Sequence, residues 1–134
     1  MSITEATMGA TTEEAEQKAL IAWSKLSRGR FPQLSLLFHI PNGGLRHPVT
    51  ARKMQLAGVQ AGVPDLCLPF AAKGFHGLYI EMKRGVDKPK SKDVKGELTD
   101  RQQWWRDELR MQGYRAEVCY GFEDARTVLE EYLS

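Results

Sequence analysis

The chain has 134 residues, 42% hydrophobic and 27% charged, the size and balance of one globular domain rather than a fibrous or disordered chain. The longest apolar run is too short to cross a bilayer and no basic-then-apolar leader is visible, so membrane and secreted classes are not expected. Cys67 and Cys119 lie far apart and outside any CxxC pattern, which argues against a disulfide framework and a zinc site and fits a reducing, cytoplasmic compartment.

Residues 1–10 read as a loose, small-residue leader, leaving residues 11–134 as the folded domain. Thr11 and Glu14 have the spacing of a capping box, and Ala19, Leu20, Trp23 and Leu26 recur at helical period before Gly29. LSLLFHI (34–40) reads as a buried strand after Pro32, followed by the turn signal PNGG (41–44). A short helix is expected over 49–57, ended by Gly58. Two strands follow, VPDLCLPF (63–70) and GLYIEMKR (77–84), joined by a loop compatible with a hairpin. The Lys-rich segment after Arg84 reads as a mobile loop. Thr99 and Gln102 are a second capping-box spacing, opening a helix that carries Trp105 and Leu109 and stops at Gly113. RAEVCY (115–120) is a strand and FEDARTVLEEYL (122–133) a closing amphipathic helix. The order α-β-α-β-β-α-β-α predicts an α/β fold with a central mixed sheet flanked by helices.

Net charge is only +2, but it is unevenly spread. No acid occurs from Gln17 to Pro64, where Lys18, Lys25, Arg28, Arg30, Arg46, Arg52 and Lys53 lie, and Arg84 to Gly96 holds five Lys/Arg against two Asp. Such stretches suit a polyanion, although solvated surface charge explains them equally well. The chemistry concentrates in Pro64-Asp65 and Glu81-Met82-Lys83. Residues two apart on a strand share a face, so Glu81 and Lys83 stand side by side, opposite Leu78, Ile80 and Met82. If the two strands are neighbours, Asp65 arrives beside Glu81. Two carboxylates there make a hard-oxygen site for Mg²⁺ or Mn²⁺, and a lysine beside it can act on a water. The plainer readings are a turn aspartate and an exposed ion pair worth ~0–1 kcal/mol. The apolar strand around Glu81 weakens them, because unpaired charge is costly at a central position.

D-(x)n-ExK preceded by proline resembles the signature of the PD-(D/E)XK nuclease superfamily. The fuller string is similar to its VRR-NUC branch in the small, stand-alone, phage-type form. The blocks carrying that resemblance are EAEQ near Glu16, FHIPNGGLR from Phe38, AGVPDLCLPF from Ala61, GLYIEMKR from Gly77, LTDRQQWW from Leu98 and GYRAEVCYGFEDA from Gly113. It implies a restriction-endonuclease-like αβββαβ core, with Asp65, Glu81 and the Met82 backbone carbonyl as metal ligands and Lys83 as catalytic lysine. It also implies a glutamate on the first helix, for which Glu13, Glu14 and Glu16 compete. Glu16 is preferred because Leu20 and Trp23 share its face. The family's downstream glutamine matches Gln102 rather than Gln103.

The expected activity is Mg²⁺- or Mn²⁺-dependent DNA phosphodiester hydrolysis leaving 5′-phosphate and 3′-hydroxyl ends. DNA contacts are expected from Asn42, Gly43, Arg46, Arg52, Lys53, Lys88, Lys90, Lys92 and Lys95, to backbone rather than bases. A branched or four-way junction is the expected substrate and a homodimer the expected assembly, since two symmetric cuts need two sites. The alternatives are a catalytically silent nucleic-acid-binding accessory module and, less favoured, a sequence-specific restriction enzyme. His39 reads first as a core or hydrogen-bonded histidine, Trp105 as core, and Trp104 as an exposed contact residue.

Overall fold

A computed structural model describes residues 11–42, 47–91 and 98–134. The 1–10 leader therefore lies outside the described residues. Helix α1 spans Glu13–Leu26, and its cap is Thr12 rather than Thr11: the Thr12 hydroxyl accepts a 3.1 Å hydrogen bond from the Ala15 amide. The Thr11–Glu14 capping box is thus out by one residue, since the next threonine has the extended backbone that a cap needs. Leu20 and Ser24 anchor α1 in the interior, whereas Leu26 is 88% exposed and not part of the buried face.

The strand expected over 34–40 is mostly absent. Pro32 opens a 3₁₀ turn, Pro32–Leu36, which sends Leu34 into the core, and strand β1 is only Phe38–His39. A proline fixes φ and lacks a donor, so it favours a turn start over a ladder position. β1 is an edge strand with both residues exposed, not a buried one. Helix α2, Pro48–Leu56, starts one residue early because proline suits the first helical position and His47 caps it through the Val49 amide. None of its residues is buried.

The sheet has the order β1-β2-β3-β4, with β2 at Leu66–Leu68, β3 at Leu78–Lys83 and β4 at Arg115–Tyr120. β1 and β3 flank β2 antiparallel, while β3 and β4 run parallel, joined through helix α3, Asp100–Met111. Helix α4, Phe122–Leu133, closes the fold. Leu78, Ile80 and Met82 of β3 join Leu20 of α1 and Ala125, Leu129 and Tyr132 of α4 in the core, so both helices cover one sheet face. Alternation then turns Tyr79, Glu81 and Lys83 toward α3 on the other face. The arrangement is the mixed, helix-flanked sheet expected from the element order.

Gly121 lets β4 pass directly into α4. Its φ is +91°, and a Cβ there would meet the Glu16 carboxylate at 2.6 Å.

Candidate active site

The site forms where β2 parts from β3. Leu66 pairs with Ile80, so one further step in register would set Asp65 against Glu81. Asp65 instead leaves the ladder. Its carbonyl accepts hydrogen bonds from the Ile40 amide (2.7 Å) and His39 Nδ1 (2.8 Å), tying it to the edge strand. Its carboxylate Oδ2 accepts from the Met82 amide at 2.7 Å. The donor that a continuing strand would have satisfied is thus met by a side chain, and that side chain is fixed against β3.

Glu81 is 7% exposed on a central strand. Its Oε1 accepts from Gln102 Nε2 at 2.9 Å, while Oε2 is buried without a hydrogen-bond partner. Lys83 Nζ donates to Gln102 Oε1 at 3.1 Å, and so does the Thr99 amide at 3.0 Å. Both are donors only, so oxygen faces Lys83 and nitrogen faces Glu81. The Thr99 hydroxyl in turn accepts from the Gln102 amide at 3.1 Å, closing the expected capping box at the start of α3. One glutamine therefore begins a helix and bridges the acid and base of β3.

Burial pushes the Glu81 carboxyl up to about 9, and the neighbouring Asp65 charge adds to this against the opposing pull of Lys83. Asp65 is also raised by burial, against the Met82 amide and the charges of His39 and Lys83. Two neighbouring desolvated carboxylates disfavour each other's ionised form, so a shared proton or a cation is favoured between them. The unpartnered Glu81 Oε2 and the hard-oxygen donor set fit a divalent ion such as Mg²⁺, which takes one or two carboxylates and completes its shell with waters. No group of three or more His, Cys, Asp or Glu side chains suited to a metal is found among the described residues.

Beside Asp65 opens a cleft of about 480 Å³ lined by Glu13, Glu14, Gln17, Lys18, His39, Asn42, Asp65 and Met82. Glu16, the preferred first-helix acid, is not on this wall: its Oε2 accepts from the Gly85 amide at 3.0 Å. Its place one turn below buried Leu20 draws it toward the backbone at Gly85 and Gly121, while Glu13, a turn further out, reaches the cleft. That Glu13 and Gln17 are four apart on one face was the available signal. His39 is exposed on the cleft rather than core, with Nδ1 also 3.0 Å from the Gln17 side-chain amide.

Of the DNA-contact candidates, Asn42 lines the cleft, Arg52 and Lys53 are exposed on α2, and Lys88 and Lys90 are exposed beyond β3. Gly43, Arg46, Lys92 and Lys95 lie outside the described residues. Gln103 makes no bridge like that of Gln102. Trp104 is 46% exposed with the Arg101 guanidinium 4.7 Å over its ring, and Trp105 is partly buried. Cys67 and Cys119 are free, buried strand residues.

A mixed sheet that splits beside Asp65, with Glu81 and Lys83 on the neighbouring strand, is the arrangement expected of a nuclease-type domain. The family model for the VRR-NUC domain matches residues 4–123, and the chain belongs to that family. A solved structure described as a VRR_NUC domain protein is similar over 92% of this chain and 88% of its own, at 28% identity and a TM-score of 0.69. No curated protein matches. Among the described residues no helix is long and apolar enough to cross a membrane.

Proposed function

We propose that this nuclease domain is a divalent-metal-dependent DNA endonuclease in which Asp65 and Glu81 hold the ion. The observation that carries the reading is the pairing of partly buried Asp65 with buried Glu81, whose Oε2 is unpartnered, two strand positions from Lys83 on the same face. The Met82 backbone carbonyl would be the third protein ligand, and Glu13, which lines the cleft with Glu14 as Glu16 does not, would be the first-helix carboxylate facing it. When bound, Mg²⁺ or Mn²⁺ polarises the scissile phosphate and offsets its developing charge. Lys83, oriented by Gln102, holds the water that attacks phosphorus as the bond to the 3′-oxygen breaks, leaving 5′-phosphate and 3′-hydroxyl ends.

The cleft lining includes three carboxylates and one lysine, so a bare phosphate is repelled until a cation is present. Arg52 and Lys53, with Lys88 and Lys90, serve backbone binding away from the acids, which favours DNA shape over sequence. A four-way or otherwise branched junction is the substrate we favour, cut by a homodimer that supplies two sites.

The test incubates supercoiled plasmid and a synthetic four-way junction with Mg²⁺, Mn²⁺ or EDTA. Metal-dependent cleavage, lost in Asp65→Ala and Lys83→Ala, is the expected result. Binding without cleavage in either metal would favour a silent nucleic-acid-binding accessory module. A strict monomer at micromolar concentration would remove junction resolution while leaving nuclease activity.

A further inference from the structure

Thr99 lies outside the Asp65–Glu81–Lys83 constellation, yet the four hydrogen bonds around Gln102 connect it to that site. Gln102 Oε1 is shared between the Thr99 amide (3.0 Å) and Lys83 Nζ (3.1 Å), while Nε2 reaches Glu81 Oε1 (2.9 Å). The Thr99 hydroxyl fixes the other end by accepting from the Gln102 backbone amide at 3.1 Å. A free glutamine has several rotamers and two amide orientations. Here the backbone is pinned by the hydroxyl, and the amide face is chosen by a donor that cannot accept. The helix cap and the orientation of the acid–lysine pair are thus one hydrogen-bonded unit.

We infer that Thr99 is a positioning residue: it acts through the Gln102 side chain to hold Lys83 and Glu81 in their reacting arrangement, in addition to starting α3. This rests on the nuclease reading. A glutamate at position 102 separates the two roles, since glutamate closes a capping box as well as glutamine does. It cannot donate to Glu81, however, and it adds a negative charge beside it.

The experiment compares kcat and KM for a cleaved DNA in wild type, Thr99→Ser, Thr99→Ala, Gln102→Ala, Gln102→Glu and the Thr99→Ala/Gln102→Ala double variant. Side-chain amide exchange of Gln102 is followed by NMR in the metal-free wild type, Thr99→Ser and Thr99→Ala proteins. Expected for Thr99→Ala is a fall in kcat of about 10- to 100-fold, the usual cost of losing such an outer partner, with KM little changed. Thr99→Ser restores it, and Gln102→Glu, which keeps the capping box but loses the donor to Glu81, loses kcat. The decisive arm is the double variant: with Gln102 absent, Thr99→Ala still lowers the melting temperature but has no further effect on kcat. A kcat loss of equal factor in both backgrounds, or wild-type kcat in Thr99→Ala, overturns the inference and leaves Thr99 a helix cap alone. If wild type cleaves no DNA with either metal, the nuclease reading fails. The NMR arm then decides separately: faster Gln102 amide exchange in Thr99→Ala, but not in Thr99→Ser, supports the lock, and unchanged exchange refutes it.

Discussion

On one face of β3, Leu78, Ile80 and Met82 are at most 1% exposed and belong to the apolar core; on the other, Glu81 is 7% exposed with one carboxylate oxygen unpartnered. The first face is satisfied by packing alone. The second holds a buried acid beside another acid, an arrangement that costs free energy in the metal-free chain. Alternation on a single six-residue strand thus separates a packed face from a polar one, and the face that violates the ordinary rules is the one we propose for chemistry.

The largest expected effects come from breaking the polar face. Glu81→Gln and Lys83→Ala should each lower cleavage by about 10³-fold or more, the scale of losing one preorganised charge-stabilising group. Glu81→Gln should raise the metal-free melting temperature at pH 8, whereas Lys83→Ala, which removes the charge opposing both acids, should lower it. Plasmid nicking and thermal melts on the same preparations check both. Breaking the apolar face does the reverse: Ile80→Ala should cost about 2–5 kcal/mol of stability, read by urea titration, through the cavity it leaves.

Acidity sharpens the same contrast. Glu81 is held at about 9 in the folded chain, above the ordinary 4.5, so the folded state binds the extra proton between those limits. Stability in EDTA should therefore be full below about pH 4.5 and decline as pH rises toward 9. Asp65, raised in the same direction, adds to the decline. Melts from pH 5 to 9 should show that slope in wild type, and Glu81→Gln or saturating Mn²⁺ should flatten it. The smallest effect belongs to Leu26→Ser, expected within about 0.5 kcal/mol of wild type because that side chain is 88% exposed.

What could be read from the residues follows the strength of the local rules. β4 and α4 lie at their expected bounds because alternation over 115–120 and the apolar stripe over 122–133 are each unbroken. The juxtaposition of Asp65 with Glu81 was legible because strand period and an antiparallel pairing of consecutive strands leave few registers. LSLLFHI was misread because an apolar run does not distinguish one buried leucine in a turn from a strand. Leu34 fills the core, whereas Phe38, four residues on, is half exposed. The choice among Glu13, Glu14 and Glu16 depended on where Gly85 and Gly121 approach α1, a long-range contact absent from any local pattern. Thr99 was legible as a cap, but its link to Glu81 and Lys83 required knowing that the Gln102 side chain reaches across to β3.

The proposed chemistry turns on Asp65 and Glu81 sharing one divalent ion. Isothermal titration of Mn²⁺ into wild type, Asp65→Asn and Glu81→Gln at pH 7.5, without DNA, tests this independently of turnover. Saturable binding by wild type, weakened about 100-fold in either variant, is the result predicted. Equal affinity in all three proteins, or no binding by wild type, would contradict it.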